Sequence, residues 1–140
     1  MTARTTSLLD RIEHERQAVL ADVNELGSEQ LVFRPEAGSW SALEVVEHLV
    51  KVEEGIVSHV KKREPRTWGE AARGRLSLEV VSVCFRLGRR LRVPVQAIMP
   101  QGGATLSDLD ARWVAAQEAM RRTVGGFGPG EYARPMMRHP

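Results

Sequence analysis

Ser41-Ala42-Leu43-Glu44-Val45-Val46-Glu47-His48-Leu49-Val50-Lys51-Val52-Glu53-Glu54-Gly55-Ile56-Val57-Ser58-His59-Val60 is the stretch on which the fold turns. Its many β-branched residues suit a strand. Its polar residues do not. Glu47, Lys51, Glu54 and Ser58 recur at spacings of four, three and four, which gathers them on one side of a helix. Val45, Val46, Leu49, Val50, Val52, Ile56, Val57 and Val60 then form a wide apolar arc. Ser41 and Glu44 make an S-x-x-E capping box, in which each side chain can satisfy a free N–H of the first turn. The helix should end before Pro65, because the residue preceding proline disfavours helical dihedrals. Trp40 stands directly before the box, and its ring is expected to anchor the helix entry by packing.

Working outward, Leu8, Leu9, Ile12, Val19, Leu20, Val23 and Leu26 mark one face of an earlier helix. Thr5, Thr6 or Ser7 can cap its start, and Gly27 stands where it should stop. Pro35 and Gly38 break the connection that follows. A third helix is expected from about Gly69 or Arg75 to Arg92, with Leu76, Val80, Val83, Cys84, Leu87 and Leu91 on one side. Val93-Pro94 ends it, and Val95 to Ala104 reads as a loop. A fourth helix begins near Ser107, carrying Leu106, Leu109, Trp113, Ala116, Met120 and Val124 at helical spacing. The run from Gly125 to Gly130 stops it, and Glu131 to Pro140 is too short and polar for another long helix. Several amphipathic helices with no strand signal predict an all-α, up-and-down helical bundle occupying residues 1–140 as one domain.

Bulk composition agrees. The chain has 140 residues, 42% hydrophobic and 27% charged, the balance of a globular domain rather than a disordered one. Aromatics are 5%, so Leu, Val, Ile, Ala and Met must fill the core. No apolar run approaches the ~20 residues of a membrane span, and Met1 to Ser7 is polar, unlike a signal peptide. One cysteine, Cys84, can form no internal disulfide. A cytoplasmic protein is expected. The net charge of +2 falls short of a basic stripe, so nucleic acid is not an expected partner. Arg86, Arg89, Arg90 and Arg92 are explained by the dipole at the end of the third helix.

His48 is the most informative residue for chemistry. It lies within ~60° of Val45 and Val52 on the helical wheel, at the rim of the apolar arc. Two readings stay open: a half-buried ring whose nitrogens find backbone or solvent partners, or a metal ligand aimed into the bundle. His59 lies on nearly the same face, but eleven residues along, a rise of ~16 Å, so the two cannot share one ion. His14 sits in the charged run Arg11 to Arg16 and should be solvated. His139 is next to the last residue. The sequence contains no H-x-x-x-H or H-E-x-x-H pair, so a complete catalytic site is not expected. Glu53 falls inside the apolar arc, either as a buried carboxylate or as the partner of an arginine on a neighbouring helix. Cys84 reads as a small buried hydrophobe.

Gly38-Ser39-Trp40-Ser41-Ala42-Leu43-Glu44-Val45-Val46-Glu47-His48-Leu49, followed by Glu53, resembles the signature of the DinB-like superfamily, including its YfiT-like branch. There a W-S pair opens the second helix and a histidine follows on it. Arg34-Pro35 in the connection and the terminal Arg138-His139-Pro140 extend the resemblance along the whole chain. It implies a helical bundle that binds a divalent metal, zinc or nickel, through three histidines. His48 corresponds to the first, and the others come from an H-x-x-x-H pair on the last helix. This sequence ends where that helix would start, so the expectation is four helices with the family's last one absent, through truncation or loss of the site. The resemblance also implies metal-dependent hydrolysis, or transfer reactions of low-molecular-weight thiols, on a small-molecule substrate. With one ligand of three, zinc or nickel should bind weakly. The competing reading is a non-catalytic bundle acting through protein–protein association. An uncovered apolar face favours a homodimer.

Overall fold

The computed structural model describes residues 2–62 and 96–128. Among these are α1 (Ala3–Asn24), a short α2 (Ser28–Val32), α3 (Ala42–Lys62), a 3-10 turn (Gln96–Ile98) and α4 (Leu106–Gly125), with no strand. The first, second and fourth helices expected from the sequence are α1, α3 and α4. The third, with Cys84 and its arginines, lies outside the described residues.

Helix ends show where local chemistry outweighs pattern. Helix α1 starts earlier than expected, because Thr2 caps it: its Oγ1 accepts from the Thr5 N–H at 3.2 Å. It also stops at Asn24, short of Gly27. Gly27 instead precedes α2, where its N–H donates to Gln30 Oε1 at 2.9 Å. Helix α3 begins as its sequence predicts. The Ser41 N–H donates to Glu44 Oε2 at 2.9 Å, and the Glu44 N–H to Ser41 Oγ at 3.3 Å. Arg34 adds a two-pronged contact to the Glu44 carboxylate, tying the preceding connection to the helix start. That connection turns at Gly38, whose φ of +84° few residues other than glycine adopt cheaply. Helix α4 repeats the device one residue earlier than expected, with Thr105 and Asp108 capping each other.

The Arg34 contact, then the Ser41 N–H, hold the Glu44 carboxyl below its usual range despite burial. Its folded pKa is therefore depressed. The stabilisation is complete above the unfolded value of about 4.3 and is lost as pH falls through the lower folded value. Acid titration of the unfolding free energy should show this loss, and Glu44→Gln should flatten the curve in that window.

Cross-helix contacts fix the helix directions. Asp10 and Glu13 of α1 meet Arg121 of α4, and Arg16 meets Gln117 and Asp110, so α1 and α4 run antiparallel. Glu53 meets Gln117 and Glu54 meets Arg112, while Val46 and Val50 join Leu109 and Trp113 in the core, so α3 and α4 run parallel. Leu20, Val23, Val46, Val50, Leu109 and Trp113 form the core where α1, α3 and α4 meet. Val46, Val50 and Leu109 are wholly enclosed. Val45, read as part of the apolar arc, is exposed.

Candidate functional site

The N-terminal half of α3 carries the densest polar chemistry among the described residues. His48, half buried, sets its Nδ1 at 2.8 Å from the Ile98 carbonyl oxygen. A carbonyl can only accept, so Nδ1 carries the proton and Nε2 keeps the lone pair in the neutral ring. The Trp40 ring packs against it, with centroids 4.9 Å apart and planes at 46°. Trp40 is therefore an anchor of the helix entry, as expected, but a half-buried one whose partner is His48.

Beside His48, part of the polar stripe is covered. Glu47 and Lys51 do not face water. Glu47 is buried, and its two carboxylate oxygens accept from the Gln101 N–H at 3.0 Å and the Gly102 N–H at 2.9 Å. Lys51 Nζ lies 3.0 Å from Glu47 Oε1 and donates to the Met99 carbonyl at 2.8 Å. The segment from Ile98 to Gly102 lies over this face and is held by it. Burial raises the Glu47 pKa, but the Gln101 N–H, Lys51 and the Gly102 N–H together outweigh it and hold the carboxyl below its usual range. Gly102 and Gly103 adopt φ of +75° and +85°, in the left-handed region that favours glycine.

Glu53 takes neither expected role. Half buried, its Oε1 accepts from the Gln117 amide at 3.3 Å, and Gln117 Oε1 in turn accepts from Arg16 Nε at 3.2 Å. The arginine pairing belongs to its neighbour Glu54, which meets Arg112 through bonds of 3.0 and 2.8 Å. Glu53 also borders a cleft of about 590 Å³, whose walls include Leu8, Ile12 and Val19 of α1, Leu49 of α3 and Trp113 of α4. His48 is not among its lining residues.

Besides His48, one other histidine has its side chain among the described residues. His14 is exposed on α1, as expected. The side chain of His59, and His139, lie outside the described residues. Among the described residues no group of three or more His, Cys, Asp or Glu could hold a metal ion. Glu47, the carboxylate adjacent in sequence, is engaged by backbone amides and Lys51. The described donors therefore amount to one imidazole and do not make a metal site by themselves.

Sequence comparison supplies the context for that imidazole. The family model of the DinB superfamily matches residues 11–140. No curated protein and no solved structure matches the chain. The described structure contains no helix long and apolar enough to cross a membrane.

Proposed function

Because the chain belongs to the DinB superfamily, we propose that His48 is a ligand for a divalent metal, zinc or nickel, whose remaining ligands come from outside the described residues. The protein would be a cytoplasmic hydrolase or low-molecular-weight thiol transferase acting on a small molecule. One observation carries this reading: the bond from Nδ1–H to the Ile98 carbonyl leaves Nε2 as the electron-pair donor. Ligand histidines are commonly oriented this way, their second nitrogen donating to a backbone carbonyl or carboxylate. A bound ion would supply a Lewis acid with a position for water or thiolate. What this chain's own residues do is narrower. Ile98 fixes the ring's tautomer, and Trp40 limits its rotation.

Calorimetric titration with zinc and with nickel tests the proposal. The chain should bind through His48, and His48→Ala should remove the binding while His14→Ala leaves it. A submicromolar site that survives His48→Ala would overturn it.

A second reading, association without catalysis, is favoured by a different observation. Leu8 and Ile12 of α1 are 52% and 46% exposed where they border the cleft. Exposed apolar side chains gathered beside a cleft suit a contact site, and a second copy of the chain is the occupant this reading takes. Sedimentation at micromolar concentration should then show a homodimer, which Leu8→Glu with Ile12→Glu converts to monomer. A wild-type monomer with no concentration dependence would remove this reading.

A further inference from the structure

We infer that Glu47 and Lys51 are positioning residues for His48, acting through the backbone of residues 98–102. Three side chains on one stretch of α3 grip that segment through its main chain. His48 donates to the carbonyl of Ile98, Lys51 donates to the carbonyl of Met99, and Glu47 accepts from the N–H groups of Gln101 and Gly102. Pro100, between them, has no N–H to offer. Glu47 and Lys51 stand one turn apart and also bond each other. With their side chains 6% and 12% exposed, they are well enclosed, and the segment cannot shift without uncovering a charge. The same grip fixes where the Ile98 carbonyl points, and that carbonyl selects which nitrogen of His48 carries the proton.

The consequence is specific. A neutral imidazole can place its proton on either nitrogen. If the segment were loose, His48 would exchange between the two forms, and Nε2 would hold its lone pair only part of the time. With the segment held, one tautomer persists and Nε2 is always the donor. The inference deepens the metal-ligand reading of His48 and rests on it for its purpose, though not for its test.

The test uses the metal-free protein and long-range nitrogen–proton NMR of the imidazole ring, at a pH where His48 is neutral. Wild type should show a single tautomer, protonated at Nδ1, with the nitrogen shifts of His48 widely separated. Lys51→Met and Glu47→Gln should bring the two shifts together as the tautomers mix, and Lys51→Arg should restore the separation. Glu54→Gln, which breaks an ion pair farther along α3, controls for general loosening and should leave the tautomer alone. Amide dispersion checks that each variant is folded, and Lys51→Met is the milder change should Glu47→Gln unfold. A His48 that stays wholly protonated at Nδ1 in folded Lys51→Met would overturn the inference. So would a wild-type ring protonated at Nε2. Neither outcome depends on metal, so a failed zinc titration and a failed tautomer experiment are separate results.

Discussion

Trp113→Ala is expected to lower the unfolding free energy by about 3–5 kcal/mol, while Trp113→Phe costs less than about 1.5. Trp113 is 4% exposed and lies in the core with Leu20, Val23, Val46, Val50 and Leu109. Truncation to alanine removes the whole indole from the place where three helices meet, and rigid helices close such a void only in part. The phenylalanine change works differently. The buried indole Nε1 has no hydrogen-bond partner, so replacing the indole removes a desolvated donor along with some volume. The two effects partly cancel. Stabilities of small domains are roughly 5–15 kcal/mol, so the alanine variant should show a large drop in urea midpoint. Near-equal losses for both variants would mean that the indole N–H does find an acceptor, or that the core tolerates the void.

Glu47→Ala should cost a similar amount, about 3–5 kcal/mol, because it leaves an enclosed Lys51 and two backbone N–H groups without their acceptor. Glu54→Ala, seven residues on and in the same stripe, should cost only about 0–1 kcal/mol. Its bond to Arg112 is well formed, but both side chains are 39% exposed, so water replaces the lost partner. The pair of measurements separates burial from bond count. Replacing both Glu47 and Lys51 by apolar residues of similar size should recover part of the loss, since the buried charges then disappear together. Equal costs at Glu47 and Glu54 would show that residues 98–102 do not shield Glu47.

These expectations bear on what the sequence could reveal. The capping box at Ser41, the buried faces of α3 and α4 and the helical class follow from local pattern, because local spacing and local hydrogen bonds cause them. The stripe Glu47, Lys51, Glu54, Ser58 set the helical period correctly, yet its solvent exposure did not follow. Whether a charged stripe faces water depends on what crosses it. Here it is partly crossed by a segment about fifty residues later, whose contribution is main-chain N–H and C=O groups. Such groups are common to nearly every residue and leave no signature. The glycines at 102 and 103 marked a loop, but not that two successive amides would meet one carboxylate. For the same reason the Ile98 carbonyl was invisible as the partner of His48. Glu54 rather than Glu53 meets the arginine because one step along a helix turns the side chain by about 100°. That step separates the arginine on α4 from the glutamine.

The position of His48 in the family pattern was legible from Trp40-Ser41 and Glu44, and its tether was not. Whether that tethered ring is a ligand is the centre of the account. Nickel(II) added in small increments to isotope-labelled protein tests it most directly, because the paramagnetic ion broadens nearby resonances even when binding is weak. The ring signals of His48 should broaden first, followed by the indole of Trp40, while those of His14 on α1 persist. Broadening that begins at His14, with His48 and Trp40 unaffected, would contradict the account.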